Sequence, residues 1–159
     1  MGKPKINKNF LNRDLPVLIL STLFGVGYVP ALAGTAGSVV GVIFLFFFKS
    51  DLSFFVFTLL VLFISFPLST RSEKIFGEKD CKKIVIDDFA GMLISLIFLP
   101  KTTGFVISAF ILFRIFDFFK IYPANKIEKL RGGIGIVGDD LVAGVYTSLI
   151  LQIAKLFLT

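Results

Sequence analysis

Residues 34–68, which read GTAGSVVGVIFLFFFKSDLSFFVFTLLVLFISFPL, decide the fold class of this chain. Two blocks in this stretch, residues 34–48 and 52–68, contain no charged side chain, and only Lys49, Ser50 and Asp51 separate them. Their 15 and 17 residues approach or reach the roughly 17–25 apolar residues of a membrane-spanning helix. The stretch therefore predicts a helical hairpin in a membrane.

The rest of the chain has the same apolar character. It is 55% hydrophobic with 21 Phe, no Trp and a mean hydropathy of +0.89, and 18% of its residues are charged, against about 25% in soluble domains. Three further apolar blocks, residues 84–100, 103–119 and 141–158, have similar lengths but contain ionisable residues. We predict one all-α domain over residues 1–159, a multi-helical integral membrane protein with about four to five apolar helices. The alternative is a soluble protein with an all-helical buried core.

The basic residues are distributed unevenly between the ends of the apolar blocks. Of 17 Lys and Arg, 13 lie in three segments, residues 1–14, 71–83 and 120–139, whereas the alternate connections hold only Lys49 and Lys101. By the positive-inside rule these three segments are predicted to be cytoplasmic. Basic residues that flank apolar blocks favour anionic membrane lipids as partners, and no nucleic acid is predicted.

Five aspartates lie inside or at the edge of apolar blocks, where ionisable side chains are expensive and usually functional. They are Asp87, Asp88, Asp117, Asp139 and Asp140. Paired carboxylates suit Mg²⁺, and the absence of histidine disfavours zinc or copper. Two alternatives remain at this point: helix N-caps, or the ion path of a small membrane cation carrier or channel subunit.

Positive and small residues accompany these acids. Arg114, Asp117 and Lys120 share one helix face; either Arg114 neutralises Asp117, or Arg114 and Lys120 hold phosphate oxygens. The glycine-rich GGIGIVG segment is predicted to be a loop whose N–H groups face an anion. Two hydroxyls at a predicted helix N-terminus are further phosphate contacts, Thr35 and Ser38. Metal ligands and phosphate contacts at headgroup level indicate phosphoryl chemistry on a lipid.

Four segments carry a family resemblance: YVPALAGTAGS (28–38), IVIDDFAGML (84–93), FILFRIFDFFKIYP (110–123) and GGIGIVGDDLVAGVY (132–146). In order and spacing they resemble the signature segments of the phosphatidylglycerophosphatase A family. The resemblance implies a mainly helical, Mg²⁺-dependent phosphatase that converts phosphatidylglycerophosphate to phosphatidylglycerol, a precursor of cardiolipin. It also implies a multi-pass protein of the bacterial cytoplasmic (inner) membrane with its active site on the cytoplasmic side.

Residue by residue, the resemblance supports the candidates named above. The expected catalytic residues are Asp87, Asp88, Asp139 and Asp140, and the expected metal ligands are these four with Asp117. The expected phosphate-binding residues are Arg114, Lys120, Thr35 and Ser38. The family's Asp-Glu pair is Asp87-Asp88 in this chain, so the second carboxylate is one methylene shorter. Fixed positive charge at Arg114 and Lys120 disfavours the cation carrier, and the sequence is compatible with an oligomer.

Overall fold

A computed structural model describes the backbone of residues 8–158 and the side chains of residues 13–158, and this part of the chain is all-helical, as predicted. Its elements are α1 (Lys8–Ser21), a 3₁₀ helix (Val26–Tyr28), α2 (Ala33–Leu45), α3 (Asp51–Phe76), α4 (Ile86–Ser95), α5 (Thr103–Phe119), α6 (Ala124–Ile127) and α7 (Gly133–Leu158). The basic segment predicted over residues 1–14 lies partly outside the described residues and partly within α1.

Each of the five predicted apolar blocks contains a helix, but the helices differ in length. Only α3 and α7, of 26 residues each, are long and apolar enough to cross a membrane by length and composition within the described residues. A soluble core would bury such helices, yet only 22% of the most apolar 18-residue window of each is buried. Phe63 is 70% exposed and Phe157 85%. These apolar outer faces are typical of a surface that contacts lipid or another protein.

Helix α4 is shorter than the block predicted over residues 84–100. It has 10 residues, all of them buried, and therefore rises about 15 Å, half of the ~30 Å hydrocarbon core. Asp87 and Asp88 lie in its first turn, where acidic side chains complement the helix dipole. The chain leaves the helix at Leu96 and reaches Pro100, which disfavours helix in the residue before it. We conclude that α4 is a central packing helix and not a spanning one.

Glycines bring α4 and α7 into close contact. A Cβ added to Gly144 would lie 2.5 Å from the carbonyl oxygen of Gly91, and one added to Gly91 would lie 2.8 Å from the carbonyl oxygen of Asp140. Small residues allow two helix backbones to approach in this way. The crossing sets the backbone of Asp140 against the helix that carries Asp87 and Asp88.

The prediction of a loop over the glycine-rich segment is wrong, because α7 begins at Gly133. The glycines serve close packing: a Cβ on Gly133 would clash with the Phe66 carbonyl, and one on Gly138 would clash with the Ile127 side chain. Asp139 and Asp140 consequently lie inside α7, about two turns from its start. The alternative that they cap this helix is therefore also wrong.

Candidate active site

A cavity of about 550 Å³ opens where α2 and α4 begin, α5 ends and α7 passes through its first turns. Its lining carries six aspartates and four basic side chains, a net charge of −2 at full ionisation. The aspartates are Asp80, Asp87, Asp88, Asp117, Asp139 and Asp140, and the basic residues are Lys82, Lys83, Arg114 and Lys120. All five aspartates selected from the sequence thus meet at one place.

Three of these carboxylates form a compact acidic triad, Asp87, Asp88 and Asp140. Each offers an oxygen, and these oxygens lie within 4.8 Å of one another. All three residues are buried, and the Asp87 Oδ1 atom has no hydrogen-bond partner. Among residues 13–158, no ion pair involves Asp87 or Asp140.

Burial and the repulsion between neighbouring carboxylates disfavour the ionised form of the triad. Burial, and next the charge of Asp88, raises the pKa of Asp87 above its usual range. Burial and Asp117 raise the pKa of Asp88 to about 7, against the lowering effect of Arg114. Asp87 and Asp140 are buried and form no ion pair among the described side chains, which is costly for ionised carboxylates, and an all-oxygen ligand set is the kind that Mg²⁺ prefers. The residues present therefore fit a divalent cation.

Arg114 connects the triad to α5. Its Nη1 lies 2.5 Å from Asp88 Oδ1 and 2.9 Å from Asp117 Oδ2, and 3.4 Å from Ser38 Oγ. The pairing with Asp117 follows from the i, i+3 spacing, whereas the pairing with Asp88 joins residues 26 apart. Asp117 therefore holds Arg114 in place and is not one of the three grouped carboxylates.

Lys120 distinguishes Asp139 from Asp140. It ends α5 with a left-handed backbone, φ 45°, and its Nζ lies 2.7 Å from Asp139 Oδ2 and 2.6 Å from Glu128 Oε2. Burial opposes the charged form of Lys120, but these two carboxylates outweigh it and raise its pKa. Asp139 thus already has a cationic partner, whereas Asp140 forms no ion pair with the side chains of residues 13–158.

The two hydroxyls predicted to contact phosphate lie in different surroundings. Ser38 is fully buried, and its Oγ donates to the Gly34 carbonyl at 3.0 Å and accepts from Arg114. Thr35 is half-buried and is not part of the cavity lining. A direct phosphate contact by either hydroxyl stays a prediction.

Four polar residues of the lining were not among the site residues predicted from the sequence. Tyr28, Asp80, Lys82 and Lys83 all face the cavity. The only signal was position: the two lysines immediately precede the IVIDD segment, and Tyr28 opens the first family-like segment.

We expect Gly34→Ala to lower activity by about 10–100-fold while the fold is kept, because the added Cβ would lie 2.6 Å from Asp88 Oδ2 and small misplacements of reacting groups are costly. The contact is with the end of a side chain, so Asp88 can move and the helix can stay. Turnover and the thermal midpoint are measured together. Gly104→Ala is the control, since nothing lies within 4 Å of its added Cβ. Equal activity of the two variants would contradict the placement of Asp88.

The chain matches one known protein family over most of its length. The family model described as phosphatidylglycerophosphatase A matches residues 19–155. The chain belongs to the phosphatidylglycerophosphatase A family. The predicted resemblance is thereby confirmed, and this family member is an enzyme, a phosphatase.

Curated relatives agree with the family. A protein of Escherichia coli named "Phosphatidylglycerophosphatase A" is 34% identical over 92% of this chain and 87% of its own length. One of Haemophilus influenzae with the same name is 33% identical over 86% of each chain. A protein of Bacteroides thetaiotaomicron named "Putative phosphatidylinositol-3-phosphatase" is 34% identical over 89% of this chain and 94% of its own. No solved structure matches the chain.

Proposed function

We propose that this protein hydrolyses the terminal phosphate of phosphatidylglycerophosphate with the help of Mg²⁺. The observation that carries the proposal is the acidic triad, whose three carboxylate oxygens lie within 4.8 Å of one another beside an open cavity, in a chain of a phosphatase family. In the reaction, water oxygen bonds to phosphorus and the bond between phosphorus and the glycerol oxygen breaks. The leaving oxygen takes up a proton, which gives phosphatidylglycerol and inorganic phosphate.

The contacts of each residue indicate its proposed role in the reaction. Asp87, Asp88 and Asp140 would hold the cation, which supplies polarisation of a phosphoryl oxygen and makes water a stronger nucleophile. Arg114 is held by Asp88 and Asp117 and lines the cavity, where its remaining N–H groups would donate to phosphate oxygens. Asp139 acts through Lys120, whose ammonium group it fixes at the cavity wall.

The location of the site supports action at the cytoplasmic face of a bacterial inner membrane. Lys82, Lys83 and Lys120 line the cavity and belong to the segments that the positive-inside rule assigns to the cytoplasm. A lipid headgroup reaches such a cavity from the bilayer surface, while its acyl chains stay among the exposed apolar faces. The product then enters phospholipid and cardiolipin biosynthesis. These basic groups would repel a travelling cation, and no observation favours a carrier or channel.

The direct test is phosphate release from phosphatidylglycerophosphate in detergent. Activity is expected to vanish with EDTA and to return with Mg²⁺ but not with Ca²⁺, whose looser coordination suits the site less well. Phosphatidylinositol 3-phosphate is the comparison substrate. Full activity in chelator would overturn the metal requirement, and no release from phosphatidylglycerophosphate under any condition would overturn the substrate.

Sidedness is tested by thiol labelling in intact cells and inverted vesicles, with Cys81 first replaced by Ser. Glu78→Cys and Asp51→Cys place single thiols at exposed positions at opposite ends of α3. We expect a membrane-impermeant reagent to label position 51 only from outside and position 78 only from the cytoplasm. Labelling of both positions from the same side would contradict the proposed crossing of α3.

A further inference from the structure

We propose that Lys82 and Lys83 bind a second phosphate of the substrate, the phosphodiester that joins the headgroup to the lipid. The proposal rests on the proposed function and deepens it, because it names what the enzyme selects: a lipid whose headgroup carries a phosphomonoester beyond a phosphodiester. The monoester lies at the acidic triad, and the diester lies at the two lysines.

The ion pairs of the cavity leave these two cations available. Arg114 is already shared between two carboxylates, and so is Lys120. Among residues 13–158, by contrast, Lys82 and Lys83 take part in no ion pair, although both line the cavity. A substrate anion can therefore bind them without displacing a carboxylate. Their own segment contributes one opposing charge to the lining, Asp80.

Aromatic rings fix the position of one of the two ammonium groups. Lys83 Nζ lies 5.4 Å from the ring centroid of Tyr28 and 5.5 Å from that of Phe76. Such contacts attract a cation without neutralising its charge. The ammonium group is thus held beside the cavity while its N–H groups remain able to donate. Tyr28 itself lines the cavity, so this contact lies at the site.

The two lysines lie nearer the protein surface than the acidic triad, and all five residues line the same cavity. They immediately precede the buried Ile84 and Val85 and therefore lie before the first turn of α4, which carries Asp87 and Asp88. Both lysines are exposed, whereas the triad is buried. A substrate with its monoester at the buried end then has its diester towards the exposed end. This order matches a headgroup that enters from the membrane surface with its far phosphate first.

The chemistry agrees with the names of the relatives. Phosphatidylglycerophosphate and phosphatidylinositol 3-phosphate both carry a monoester on a headgroup that is joined to the lipid by a phosphodiester. Phosphatidic acid carries only the monoester. A subsite for the diester would therefore favour phosphatidylglycerophosphate and phosphatidylinositol 3-phosphate over phosphatidic acid. Selection between the two favoured lipids would depend on the rest of the headgroup.

The test compares Lys82→Ala/Lys83→Ala with the wild type on phosphatidylglycerophosphate and phosphatidic acid, in micelles of neutral detergent with Mg²⁺. We expect the KM for phosphatidylglycerophosphate to rise about tenfold or more, as for the loss of charged hydrogen bonds, with kcat nearly kept. The kinetics with phosphatidic acid should change little. Lys82→Arg/Lys83→Arg should restore the low KM for phosphatidylglycerophosphate.

Lys79→Ala is the matched control, because Lys79 is a lysine of the same segment whose Nζ contacts the Lys129 carbonyl at 3.4 Å and which is not part of the cavity lining. Equal rises of KM for both lipids, or the same rise in Lys79→Ala, would show general attraction to anionic surfaces and overturn the subsite. An unchanged KM in the double variant would overturn it as well. If the wild type released no phosphate from phosphatidylglycerophosphate, the proposed function itself would fail.

Discussion

Asp140→Asn should lower turnover by about 10²–10⁴-fold, the largest effect expected of any single carboxylate outside α4. The change keeps the size of the side chain and removes one anionic oxygen from the triad with Asp87 and Asp88. No ion pair among the described side chains uses Asp140, so the variant loses no structural partner. It also relieves crowding of like charges, and its thermal midpoint in EDTA should rise above that of the wild type.

The neighbouring Asp139→Asn is the matched control. Asp139 pairs with Lys120 at 2.7 Å and lies outside the triad, so its loss should reduce turnover less, by about tenfold, which corresponds to about 1.4 kcal/mol. Neither residue caps α7, so capping contributes to neither result. A larger loss in Asp139→Asn than in Asp140→Asn would mean that the two aspartates have exchanged roles.

Arg114→Leu should abolish activity and also destabilise the protein. The side chain is 28% exposed and bridges Asp88 and Asp117. Removal of one partner from a buried ion pair costs about 3–5 kcal/mol, and partial exposure places this case near the lower end of the range. Turnover should fall by at least about 10²-fold, because a fixed donor to the phosphate is lost as well. Phosphate release and the thermal midpoint in detergent measure the two effects.

Two further variants distinguish the catalytic role of Arg114 from its structural role. Arg114→Lys keeps the charge but loses the planar fork, so it should recover stability more than turnover. Arg114→Leu with Asp117→Leu removes the charges of the α5 pair together and should recover part of the stability while staying inactive. An active double variant would show that Arg114 only neutralises Asp117.

The sequence predicted the bounds of a helix best where the helix exposes an apolar face. The block over residues 103–119 coincides with α5 (Thr103–Phe119), because an apolar run of this length is too long for a typical strand and forms a helix. The block over residues 84–100 gave only the ten residues of α4. An apolar run that is buried on all sides does not differ in composition from one that faces lipid. The short length of α4 therefore depends on packing that the sequence does not show.

Five aspartates of the site were predictable from the sequence, but the ion pairs between distant helices were not. Buried aspartates stand out in apolar runs, and all five do line the cavity. Which carboxylates form no ion pair among the described side chains depends on contacts between distant helices, such as Arg114 with Asp88 and Lys120 with Asp139. The glycine-rich segment was misjudged for the same reason. Its glycines avoid steric clashes with other elements, including the Phe66 carbonyl, because they have no Cβ. No local sequence pattern distinguishes glycines used in this way from glycines in a turn.

The central claim is that the acidic triad of Asp87, Asp88 and Asp140 binds the divalent cation. It is tested most directly by Mn²⁺ binding to the purified protein in detergent, followed by electron paramagnetic resonance without substrate. The wild type should bind Mn²⁺, and added Mg²⁺ should displace the bound Mn²⁺. Asp140→Asn should lose this binding, while Asp139→Asn and Gly104→Ala retain it. Undiminished, Mg²⁺-sensitive Mn²⁺ binding by a folded Asp140→Asn variant would contradict the claim.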